Sequence, residues 1–160
     1  MLWGASSIFL SLFLWNVVTT TWAKVGVIFL FISGIGEIMG GLFDVKHKWH
    51  GLAFLLGVPS LPIAALLIGY NVINMPQWNG NSATILLSSH ATWISVIVMA
   101  VAMVVMTSGF KKAGIPMDQH SAPPEKVPDG VIAWAGYANR LLVFCYIFWL
   151  IIISYIQLSL

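Results

Sequence analysis

Charge is what this sequence has least of. Seven Lys and Arg and five Asp and Glu stand in 160 residues, 8% charged, against about 25% in soluble domains, so no water-facing surface can be built from it. A soluble globular domain is excluded. Cysteine is nearly absent too: Cys145 is single, which rules out an intrachain disulfide and a thiolate metal cluster. Flanked by Phe144, Tyr146 and Phe148, it reads as a small buried hydrophobe. No basic tract is present, so nucleic acid is excluded as a partner. No repeat of fixed period is visible, which removes support for a transporter built from inverted halves. The opening Met-Leu-Trp-Gly lacks the positive segment of a secretory signal, and the first apolar run is read as retained.

What is present is apolar length. Hydrophobic residues make up 59% of the chain, and five runs approach the roughly 20 residues that one helix needs to cross a bilayer. They are residues 2–20, 25–43, 52–73, 85–109 and 137–158. The fold class expected is an all-α integral membrane protein, one domain over residues 1–160 forming a bundle of five transmembrane helices. Helices follow because the runs are continuous and lipid offers the backbone no partners. Lys46, Lys48, Lys111, Lys112, Lys126 and Arg140 then share one side, with Lys24 alone on the other. By the positive-inside rule the N-terminus is cytoplasmic, the C-terminus outside, and the link 110–136 cytoplasmic. The membrane expected is a plasma membrane. Trp22 and Trp78 are expected at the outer interface, Trp3, Trp49 and Trp134 at the inner one. His120, in the proline-rich link, is expected to be solvated.

The ionisable residues gather around the second and third runs. Glu37 and Asp44 are seven apart, two helical turns, and project from nearly one face. A rise of about 1.5 Å per residue places Glu37 about 9–10 Å inside the hydrocarbon. A charge there costs at least a few kcal/mol, so Glu37 must face the bundle and be paired or protonated. Arg140 is the expected partner of Asp44 and, by snorkelling, of Glu37. Pro59 and Pro62 leave the carbonyls of Leu55 and Val58 without their helical donors. Glu37 is expected to donate to one of these. Gly36, Gly40 and Gly41 offer a flat patch for close helix contact, within the chain or with a second copy of it. His50 and His90 belong to opposite membrane levels and cannot share a metal. His90, beside Ser88, Ser89 and Thr92, is expected to form interhelical hydrogen bonds. His47, His50 and Asp44 are a weak metal set on one link.

Gly40-Gly-Leu-Phe-Asp44, His50-Gly-Leu-Ala-Phe and the small, proline-bearing stretch from Pro59 to Leu67 resemble the family catalogued as domain of unknown function 998, multi-pass membrane proteins of bacteria and archaea. Gly136-Tyr-Ala-Asn139-Arg140, followed by an apolar run with Trp149, is similar to that family's closing Gly-x-x-Gln-Arg and last helix. Two departures are visible. The proline expected before the acid is missing, since Phe43 directly precedes Asp44, and the family's usual six spans imply a further N-terminal helix. The resemblance implies a prokaryotic plasma membrane and no activity, and carries only Asp44, His50 and Arg140 as matched polar positions.

Function is expected to reside in a cytoplasmic-side polar pocket of Glu37, Asp44, His50, Asn139 and Arg140. The pocket would bind a lipid headgroup or small polar ligand, or gate its passage, without catalysis. No catalytic residue, metal or cofactor is assigned. The alternatives are a metal-dependent membrane hydrolase using Asp44 and His50, and a proton-coupled carrier in which Glu37 titrates.

Overall fold

A computed structural model describes residues 2–44, 47–115 and 127–159 as helices joined by links. In order they are α1 (Leu2–Val17), α2 (Thr21–Leu42), α3 (His50–Val72), α4 (Ser82–Lys112) and α5 (Ala135–Leu158), with a 3₁₀ turn, Pro76–Asn81, leading into α4. Among the described residues there is no strand. Among the described residues four helices are long and apolar enough to cross a membrane: α2, α3, α4 with its preceding turn, and α5. The first is shorter than expected. Its 16 residues rise about 24 Å, against about 30 Å of hydrocarbon.

Boundaries move outward where capping or charge favours it. Thr20 is the N-cap of α2, its Oγ1 accepting from Ala23 N–H at 3.2 Å, so α2 starts at Thr21 rather than residue 25. Asn71 at the end of α3 donates to the same hydroxyl at 2.7 Å, tying the two helix ends together. At its other end α4 runs on through Lys111 and Lys112, cations favoured beside a helix C-terminus.

Consecutive helices run antiparallel, and small residues let their backbones meet. A Cβ on Gly36 would lie 2.8 Å from both Ala53 O and Gly57 Cα, and one on Gly26 would meet Leu67 Cβ at 2.8 Å, so α2 lies along α3. On its other side α2 meets α1, where a Cβ on Gly34 would be 2.8 Å from Gly4 O. In lipid such close contact is a principal source of helix association. Gly36 is thus used within the chain, whereas Gly40 has nothing within 4 Å. Leu14, Leu30, Leu61, Ile68, Ile85, Trp149 and Ile153 fill the core between helices. Trp149 Nε1 donates to Ser89 Oγ at 3.0 Å, joining α5 to α4.

Pro59 and Pro62 lie inside α3, which continues through both. The Val58 carbonyl, deprived of its helical donor by Pro62, accepts the Tyr146 hydroxyl from α5. Tyr146→Phe should therefore cost about 1–2 kcal/mol in detergent unfolding. The same change on a Pro62→Ala background, where residue 62 regains its N–H, should cost less. Equal costs in both backgrounds would show that the proline does not create the need for the tyrosine.

The tryptophans divide. Trp22, Trp49 and Trp134 are exposed at helix ends, as interfacial indoles are expected to be. Trp78 instead is fully buried beneath the turn that carries it. Trp3 packs edge-on against Tyr146 with ring centroids 6.1 Å apart. Neither stands exposed as an interfacial indole would: Trp78 is buried in its turn, and Trp3 is half-buried against α5. Lys48, Lys111, Lys112 and Arg140 belong to one end of the bundle and Lys24 to the other. Lys46, Lys126 and His120 lie outside the described residues.

Candidate functional site

Glu37 is 9% exposed on α2, in the layer where α1 and α3 close on that helix. Its carboxylate oxygens are each within hydrogen-bond distance of a serine hydroxyl, Ser7 Oγ of α1 at 2.7 Å and Ser33 Oγ of α2 at 2.8 Å. Arg140 does not reach it: its guanidinium is exposed and lies 5.6 Å above the Tyr137 ring on α5. Nor does Glu37 take the carbonyl freed by Pro62, which Tyr146 holds. The deep acid is accommodated by hydroxyls, because α1 brings a serine to it where the sequence suggested a cation.

Each serine has a second acceptor. Ser33 Oγ is 3.0 Å from Gly57 O on α3, and Ser7 Oγ is 3.4 Å from Trp3 O. A hydroxyl carries one proton and can donate only once, although it can accept as well. With Glu37 ionised, both serines donate to it and the Ser33 contact to Gly57 goes without a proton. With Glu37 protonated, its own proton can go to Ser33 Oγ, and Ser33 then donates across to α3. One proton thus decides whether α2 and α3 share a hydrogen bond at this level.

His50 opens α3, and its Nδ1 is 2.9 Å from Phe43 O at the end of α2. A carbonyl only accepts, so Nδ1 carries the proton and the ring closes one of the unpaired carbonyls of α2. His47 stacks on Phe43 with centroids 4.5 Å apart, and its Nδ1 accepts from Trp49 N–H at 3.2 Å. Both histidines thus turn a ring nitrogen to the backbone. Among the described residues no three His, Cys, Asp or Glu side chains gather as a metal-holding group. Asp44 is exposed beyond the last turn of α2, and Asn139 and Arg140 are exposed in the first turns of α5.

His90 forms the interhelical bond expected of it. Its Nε2 is 3.0 Å from Tyr70 Oη of α3, and its Nδ1 accepts from Trp93 Nε1 at 2.9 Å. The indole can only donate, which puts the ring proton on Nε2, facing Tyr70. His50 and His90 lie at opposite ends of α3, as their expected membrane levels require.

Sequence reasoning missed Ser7, Ser33 and Tyr146. Ser33 was within reach, since it lies one turn before Glu37 on the same face. Ser7 and Tyr146 approach from other helices and carried no signal. No protein-family model, curated protein or solved structure matches the chain.

Proposed function

We propose that the chain is a non-catalytic membrane protein that binds a small polar ligand or lipid headgroup at its basic end and gates it through the Glu37 contact. In this reading the N-terminus and the basic end are cytoplasmic, as the grouping of Lys48, Lys111, Lys112 and Arg140 favours. Asp44 and His50 lie where α2 gives way to α3, 7 and 13 residues from Glu37 along the chain, and a ligand met there would act on the same pair of helices. The observation that carries the reading is the serine pair around Glu37, in which a proton exchanges one hydrogen-bond pattern for another between α2 and α3.

Other elements facing Glu37 add few groups that could blur this response. Ser7 comes from α1 and the Gly57 backbone from α3, while Tyr146 of α5 is the neighbouring titratable side chain. The test is hydrogen–deuterium exchange of the protein in phosphatidylcholine nanodiscs, in acid and in alkaline buffer. After correction for intrinsic exchange, the wild type should lose protection in α2 and α3 around Glu37 and Gly57 on going alkaline. Glu37→Gln, which can donate to Ser33 at any pH, should not. A wild-type profile unchanged by pH, or the same change in both proteins, overturns the gate.

A further inference from the structure

An apolar groove of about 810 Å³ runs between α4 and the start of α5. Val101, Ala102 and Val105 line one wall, and Trp134, Tyr137 and Ala138 the other. Its volume lies in the range of about 300–1,000 Å³ typical of ligand sites. Ala102 and Ala138 line it, and larger side chains at these positions would fill it. The groove belongs to the basic end of the bundle. Gly109 of α4 packs on Val131, whose Cγ1 would lie 3.0 Å from a Cβ there, and this contact brings the last turn of α4 to the segment that enters α5.

The mouth is aromatic and cationic. Trp134 and Tyr137 are 70% and 71% exposed, as rings at a headgroup level are. Arg140 stands over Tyr137 with its guanidinium 5.6 Å from the ring centre, and the exposed Lys111 and Lys112 lie further toward the basic end, where α4 stops. Asp129, exposed on the segment before Val131, is the one acid among the described residues there.

We infer that this groove is a binding site for an anionic phospholipid. One acyl chain lies between α4 and α5 against Ala102 and Ala138, and the phosphate is met by Arg140. The apolar walls suit a chain, and the guanidinium over Tyr137 suits a negative headgroup rather than a zwitterionic one. Arginine is the residue to expect at the phosphate, because its planar fork can make two parallel bonds to it. The site stands apart from the gate, since the serines, glycines and carboxyl around Glu37 are on α1, α2 and α3.

The test is native mass spectrometry of the detergent-purified protein titrated with phosphatidylglycerol and phosphatidylcholine of identical chains. The wild type should retain phosphatidylglycerol in preference. Arg140→Gln, at an exposed position, should lower that preference about fivefold, the effect of one basic side chain near an anionic surface, and leave phosphatidylcholine retention unchanged. Lys24→Gln, at the other end of the bundle, should change nothing. Ala102→Phe should reduce retention of both lipids by filling the floor. Equal retention of the two lipids, an Arg140→Gln protein indistinguishable from wild type, or an equal effect of Lys24→Gln would mean ordinary boundary lipid and overturn the site. A dimer that forms only as lipid is stripped, and that Ala102→Phe abolishes, would assign the groove to a second copy and overturn it as well.

Discussion

Gly36→Leu is expected to prevent the bundle from assembling, and Gly36→Ala to cost about 3 kcal/mol. The new Cβ would sit 2.8 Å from Ala53 O and Gly57 Cα, and both are backbone atoms of α3 that cannot swing aside. The helix pair must separate instead. Separation would loosen the contact through which Ser33 reaches Gly57, so the damage extends to the Glu37 layer. Gly40→Ala is the internal comparison, because nothing lies within 4 Å of its added carbon. It should be neutral or gain up to about 1 kcal/mol from helix propensity. Unfolding of both variants in mixed micelles, with membrane yield for the leucine variant, checks this. Similar midpoints for Gly36→Ala and Gly40→Ala would mean that the close approach of α2 and α3 is not there.

Glu37→Lys is expected to be as damaging by a different route. The groups around this position are serine hydroxyls and helix backbone, which can solvate a cation in part and cannot neutralise it. A lysine at this depth should cost about 3 kcal/mol or more, and its longer chain must displace α1 or break the Ser7 contact. Glu37→Gln keeps nearly the same shape and can both accept and donate, so it should stay within about 1 kcal/mol of wild type. The measurement is the unfolding midpoint of the two variants, with tryptophan fluorescence as the signal because Trp3 lies on α1 beside Tyr146. If lysine is tolerated as well as glutamine, Glu37 faces water or lipid headgroups and the gate has no basis.

The Glu37 layer also shows how far a sequence can be read. A carboxyl this far into an apolar run announces itself, because burying a charge is costly wherever the helix points. Its satisfaction does not, since a partner must come from another helix and many polar residues compete for the role. Arg140 was the attractive partner by charge, and instead it lies over Tyr137 at the mouth of the groove. Ser7 holds the acid because α1 meets α2 through Gly4 and Gly34 at that level. Prolines behave alike: Pro62 declares a carbonyl without its helical donor, but only the packing of α5 supplies Tyr146 to it.

By itself the sequence determined that the chain is helical and belongs in lipid, where its helices are, that its basic residues gather at one end, and that Glu37 needs company. These follow from terms that depend on local composition alone: transfer of apolar side chains, the backbone's need for internal hydrogen bonds, and the penalty on an isolated charge. Tertiary structure decided that α1 ends at Val17, shorter than the other four helices, that Trp3 packs on Tyr146 and Trp78 is buried, which hydroxyls meet Glu37, and that α4 and α5 leave a groove between them. Those outcomes depend on helix contacts set by small residues far apart in the chain, a short-range packing energy that has no counterpart in any single stretch of sequence.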